Sequence, residues 1–308
     1  LVSLLQKTGP NVDTQYIIEP KSSQCRTALA VLPIYTDGRR GCLFDAASNV
    51  DYSIKDITKH FPSIPTQNVG AMIFGYPHLL PQMQGPNLAD LLSSLPQKTI
   101  VALDLNGVPP PPPPPAGEDN NNKMRTVEEL QNDSVLGAAL PHIDILHLNE
   151  EELHHLTGCE ITTIMSSDSG ENKKMEMLKA ATSLFLSCGV AIVAVTLGKQ
   201  GCYIACQEDD SKWSKSSPNL PSSWKNTTIQ VPSTKLPPNA NINANGAGDA
   251  FTSGLVLSAL LRSSTTTNTT LTLKAAAQFA CSIAAHHVNT ETRDWTELDI
   301  HTLLGSSM

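Results

Sequence analysis

Four short runs of branched and small apolar residues recur along the chain and dominate what it can become. They are GAMIFGY (70–76), TIVALDL (99–105), DILHL (144–148) and VAIVAVT (190–196). Continuous apolar runs of this length, without alternation, suit strands buried on both faces. Helical patterns lie between them. NLADLLSSL (87–95) starts on Asn87 as a cap. Thr126 and Glu129 form a capping box ahead of a helix to about Leu140. MEMLKAATSLFLSCG (175–189) ends in a glycine stop. Strand alternating with helix predicts parallel βαβ units in a doubly wound sheet, an α/β fold of three layers, α/β/α.

The remaining segments fit around that sheet. TALAVLPIY (27–35) and GCLF (41–44) flank Thr36-Asp37-Gly38, an Asp-Gly hairpin signal within a lid of about residues 20–50. The last third is helical. One helix starts inside a glycine-rich turn and runs to about Leu261. Another, LKAAAQFACSIAAHHV (273–288), aligns Leu273, Ala276, Ala277, Ala280 and Ala284 for close packing on the sheet. A terminal helix is expected over Thr296–Leu304. Two polar insertions interrupt the plan, at about 108–124 and 207–226. The first opens with seven prolines (109–115), a stiff surface segment with the composition of a ligand for a proline-binding module. The second is a long loop with two tryptophans before the strand TTIQV (227–231). The chain of 308 residues reads as one domain.

Charge and composition exclude several function classes. A net charge of −8 disfavours nucleic acid and anionic membrane surfaces as partners. Seven cysteines (Cys25, Cys42, Cys159, Cys188, Cys202, Cys206 and Cys281) are scattered without a CxxC pair, so they read as free thiols. No apolar run reaches the roughly 18 residues of a membrane-spanning helix. The expectation is a cytoplasmic protein. The opening LVSLLQKTG, without an initiator Met, reads as the end of a helix, and a native N-terminus with any targeting segment is expected upstream.

The segment NANGAGDAF (Asn243–Phe251) carries the clearest chemistry. Gly246 and Gly248 let the backbone turn tightly and a ligand approach closely. The first N–H groups of the following helix lack internal partners, and the helix dipole favours an anion there. Asp249 stands at the edge of that anion hole, where a carboxylate can take a proton from an attacking hydroxyl. The plainer reading is an ordinary turn with Asp249 as a helix cap. The segment is neither a Walker loop nor a dinucleotide fingerprint.

NANGAGDAF resembles the C-terminal signature DTxGAGDxF of the ribokinase-like (PfkB-type) carbohydrate kinases. Other segments match in order: NEEELHHLTG (Asn149–Gly158) is similar to the family's NxxE segment, VTLGKQG (Val195–Gly201) to its VTxGxxG, and LDLN (Leu103–Asn106) to its strand ending Asp-x-Asn. Tyr35–Arg39 and Gly9–Thr14 resemble its Asp-Gly hairpin and GVDT turn. The resemblance implies an ATP-dependent kinase acting on a hydroxyl of a sugar or nucleoside. Asp249 would be the base. The N–H groups of Gly246, Ala247 and Gly248 would hold the transferring phosphate, and Thr196, Gly198 and Gly201 would line the nucleotide. Asn149 and Glu152 would organise Mg²⁺ through water, while also forming a helix capping pair. A homodimer through the lid is the protein-level partner expected.

The chain departs from the family pattern in two places. Asn243-Ala244 replaces the usual Asp-Thr, losing a charge and a hydroxyl, so monovalent-cation activation is not expected. The family's opening strand and Gly-Gly segment have no counterpart here, and the missing strand should leave a sheet edge uncovered. The rival function is a catalytically impaired relative that binds partners, for instance through the proline run. The adjacent pairs His154-His155 and His286-His287 read as surface histidines, because neighbours on a helix point apart. Sequons at Asn132, Asn226 and Asn268 are expected by chance in a Ser/Thr-rich chain.

Overall fold

The computed structural model describes residues 26–33, 43–60, 69–107, 124–159, 161, 168–261 and 271–289. The GVDT-like turn, the tip of the hairpin at Tyr35–Arg39, the proline run, Asn268 and the expected terminal helix lie outside them.

Five predicted strands and one the sequence patterns did not mark, β7, form a six-stranded sheet in sequential order: β3 (Ala71–Gly75), β4 (Ile100–Asp104), β5 (Ile145–Asn149), β6 (Ile192–Thr196), β7 (Cys202–Cys206) and β8 (Thr228–Val231). β3 to β6 are parallel, whereas β7 and β8 run antiparallel to their neighbours. Every residue of β4 and β7 is buried, as two-faced burial requires. Ahead of the sheet stand β1 (Leu29–Val31) and β2 (Leu43–Asp45), an antiparallel pair in the expected lid region, with Leu29 and Leu43 exposed.

One expectation changes. A doubly wound sheet reverses its strand order, sending crossovers to both faces, but among the described residues the order never reverses. Helices α2 (Pro86–Ser93), α3 (Val127–Gln131), α4 (Glu150–Thr157) and α5 (Asp168–Ser187) follow α1 (Ile54–His60) and share one core with Leu103, Leu146, Val193 and Tyr203 of the sheet. The same right-handed crossover repeated in one direction returns to the same face. The opposite face carries Ala102, Ile145, Ala194 and Ile204. It is covered by α7 (Ala247–Leu260) and α8 (Leu273–Val288), which follow the sheet in sequence, after the short α6 (Asp210–Trp213). The three layers therefore form as expected, by a different winding.

Helix ends show where local signals act. Thr126 and Glu129 make the capping box, but the helix stops at Gln131, not near Leu140. Asp133 Oδ1 accepts the N–H groups of Val135 and Leu136, each at 3.0 Å, an Asx-type turn that competes with helix. α2 starts one residue before Asn87, with Gly85 as the cap and Pro86 in the first helical position. Asn87 instead donates to the Gln82 carbonyl. α8 spans 273–288 as predicted. Its small residues let α7 approach closely: a Cβ on Gly254 would sit 2.9 Å from the Ala280 Cα.

The segment 207–226 is a long connection but a packed one. It contains α6, and Trp224 is fully buried with its Nε1–H donating to the Leu271 carbonyl at 2.8 Å. Asp144 anchors it from below the sheet, its Oδ1 accepting the Ser217 N–H and its Oδ2 the Val101 N–H. Burial pushes the Asp144 pKa up to about 6, against the pull of those two N–H groups. An acid raised in the fold contributes most below the ordinary carboxylate range, and that contribution is lost as pH rises toward 6. Asp144→Ala strands two buried N–H groups and is expected to cost about 2–4 kcal/mol in denaturant titration, with a flatter stability profile between pH 4 and 7.

Candidate active site

The C-terminal ends of β4, β5 and β6 converge beneath the start of α7. Gly246 is the residue before that helix, in the left-handed region at φ +81°. A Cβ there would lie 2.7 Å from His287 Nε2, so both backbone and neighbour require glycine. The turn is braced from two sides. Asn243 Oδ1 accepts the Asn245 N–H at 3.0 Å, and His287 Nε2 lies 2.9 Å from the Asn245 carbonyl. His287, expected at a bland surface, is thus a wall of the glycine turn. Its helix had to be docked before that contact could be seen. The Ala247 N–H points at the Ala244 carbonyl at 3.2 Å, closing the turn on itself.

Asp249 lies in the first turn of α7, and its Oδ1 accepts from Asn106 Nδ2 at 3.0 Å. Burial and then the neighbouring Asp104 push its pKa above the ordinary carboxylate value, opposed by Asn106, His147 and His287. Asn106 comes from the LDLN segment, 143 positions away in sequence. The fold thus joins two segments that were linked only by order in the chain.

Asn149 and Glu152 sit together at the end of β5. They form a reciprocal capping box: Asn149 Oδ1 accepts the Glu152 N–H, and Glu152 Oε2 accepts the Asn149 N–H, both at 2.9 Å. Glu152 Oε1 also accepts the Gly107 N–H at 2.6 Å. Burial raises the Glu152 pKa, while these N–H groups and His147 counter it. The pair offers hard oxygen donors that suit a magnesium ion retaining most of its waters. Among the described residues, no three His, Cys, Asp or Glu side chains gather into a metal cluster.

Thr196 ends β6 with its Oγ1 3.2 Å from His147 Nε2. Gly198 faces open space, and Gly201 is pressed against the end of β8. The turn demands glycine at 201 whether or not a nucleotide lies alongside. Under the site lies a buried pair the sequence reading passed over, His147 Nδ1 3.1 Å from Asp104 Oδ1. Burial opposes charge on both, but their attraction outweighs it, raising the His147 pKa and lowering that of Asp104. Its one sequence signal was a lone polar residue inside the apolar run DILHL.

A family model described as pfkB family carbohydrate kinase matches residues 118–292, more than half of the chain. The chain belongs to the pfkB carbohydrate kinase family. Membership implies ATP-dependent phosphorylation of a sugar, and the chain has the ribokinase-like fold. A ribokinase from Arabidopsis thaliana, solved with ribose and ATP, superposes with a TM-score of 0.55 at 20% identity, over 91% of this chain and 69% of its own. A ribokinase from Giardia lamblia gives 0.54 at 16%, covering 91% and 71%. An uncharacterized sugar kinase from Pyrococcus horikoshii in complex with ATP gives 0.57 at 19%, covering 100% and 80%. No curated protein sequence matches the chain. No helix among the described residues is long and apolar enough to cross a membrane.

Proposed function

We propose that this pfkB-family member transfers the γ-phosphoryl group of ATP to a hydroxyl of a sugar or nucleoside, with Asp249 as the base. The observation that carries the reading is the Asp249 carboxylate, held by Asn106 at the N-terminal mouth of α7. There an incoming hydroxyl can lose its proton to Asp249 as its oxygen bonds to the γ-phosphorus and the bond to ADP breaks. The N–H groups of Gly246, Ala247 and Gly248 and the dipole of a 14-residue helix face the phosphate oxygens. Engaging the phosphate requires the Ala247 N–H to leave the Ala244 carbonyl. Thr196, Gly198 and Gly201 border the nucleotide. Asn149 and Glu152 would hold Mg²⁺ through water, and the ion would supply charge neutralisation at the phosphates. Asn243 in place of the usual Asp removes a charge there, which supports turnover without a monovalent-cation requirement.

The rival reading, a partner-binding relative without turnover, draws on Asn243-Ala244 in place of Asp-Thr. It gives no role to an intact, positioned Asp249. The deciding experiment is ADP release from Mg·ATP across a panel of pentoses, hexoses and nucleosides. Acceptor-dependent release with at least one of them is expected; none with any of them would favour the rival.

A further inference from the structure

We infer that His147 is a positioning residue for nucleotide binding, a single buried ring that sets the start of α7 and Thr196 relative to one another. This rests on the nucleotide reading of those two elements. The imidazole is 3% exposed and meets four parts of the site. Nδ1 lies 3.1 Å from Asp104 Oδ1 at the end of β4. Nε2 lies 3.2 Å from Thr196 Oγ1 at the end of β6. Cε1 fills the space beside Gly248, where a Cβ would come within 3.2 Å. The ring also rests on Phe251 of α7, centroids 5.2 Å apart. Asp104 completes the bridge, because its Oδ2 accepts from Thr252 Oγ1 of α7 at 2.7 Å. Three strand ends and the first turns of α7 therefore meet on one imidazole–carboxylate pair.

Stability alone does not account for a polar pair here. His147 is flanked by Leu146 and Leu148 in β5, and a buried ion pair can often be replaced by apolar residues without loss. The contact to the Thr196 hydroxyl and the Thr252–Asp104 bond to α7 are directional, as apolar packing is not, and the ring edge packs beside Gly248. A ring that touches both proposed nucleotide contacts couples them, and phosphate binding at a helix N-terminus is sensitive to such placement.

The test is calorimetric titration of the full chain with Mg·ATP. His147→Asn retains a group near Asp104 but cannot reach Thr196 or Gly248. It is expected to weaken Mg·ATP about tenfold, the scale of one lost hydrogen bond, with the melting temperature within a few degrees of wild type. Thr196→Val is expected to lose a similar amount. Because the two share the His147–Thr196 contact, the double variant should lose clearly less than the hundredfold of independent sites. Wild-type affinity in His147→Asn, or losses that multiply in the double variant, would overturn the inference. If His147→Asn does not fold, Thr252→Val probes the same bridge from α7. A several-fold weaker Mg·ATP is expected there, and unchanged affinity counts against the proposal. A wild-type chain that binds no Mg·ATP would sink both the nucleotide reading and this inference. Binding without acceptor turnover would favour the partner-binding rival and leave this inference about nucleotide binding standing.

Discussion

Asp249→Ala is expected to lower turnover by about 10²–10⁴-fold, the usual contribution of a positioned base, while Mg·ATP still binds. The carboxylate lies beside the α7 N-terminus and is held by Asn106, so its loss removes the proton acceptor without removing the N–H groups that face a phosphate. Asp249→Asn should fall as far, because an amide keeps the shape and the contact to Asn106 but cannot take the proton. The pH profile provides an independent check. The base works ionised, and burial with Asp104 nearby raises its pKa. Activity should therefore fall on the acid side at a higher pH than an ordinary carboxylate would set. Asn106 favours the ionised form, so Asn106→Ala should move that acid limb to still higher pH. Measured kcat/KM against pH decides this. An unshifted limb in Asn106→Ala, or near wild-type turnover in Asp249→Ala, would remove Asp249 from the chemistry.

The largest effect on stability is expected at Gly201→Ala. Gly201 joins the turn after β6 to β7 with φ +96°, a conformation that side chains rarely adopt. A Cβ there would lie 1.9 Å from the Val231 carbonyl oxygen and 2.5 Å from the Pro232 carbonyl carbon, both backbone atoms of the chain leaving β8. No rotamer change relieves a backbone clash, so β8 must shift or its register with β7 must loosen. Strain and displacement together should cost roughly 3–5 kcal/mol. Chemical denaturation monitored by tryptophan fluorescence measures it, since Trp224 packs in the core that covers this end of the sheet. A loss below about 1 kcal/mol would mean that the turn adapts more easily than its geometry indicates.

Much of this architecture was legible in residue patterns because the responsible forces are local. Apolar runs of strand length became β3 to β6, and the alanine-rich stretch became α8 to the residue. The Asn149–Glu152 pair acts as the helix cap that its spacing suggested. Where local signals competed, tertiary or turn chemistry won. Asp133 ended α3 early by taking two backbone N–H groups, and Pro86 displaced Asn87 from the cap. The winding of the sheet was not legible, since either face can receive a crossover until the last two helices claim one.

The candidate site divides the same way. The glycine turn and Asp249 announced themselves, because backbone freedom and a carboxylate beside a helix start are chemical facts of a short segment. The partners of Asp249 did not. Asn106, Asp104, His147 and His287 come from two strand ends and a distant helix, and nothing local places His147 beside Asp104 or ranks His287 above His286. The sequence by itself determined most of the strands and helices and the glycine turn with its carboxylate, since these follow from neighbours along the chain. Only the tertiary structure decided that the ends of β4, β5 and β6 meet under α7. Side chains far apart in sequence acquire fixed distances only when the sheet and its covering helices close around them.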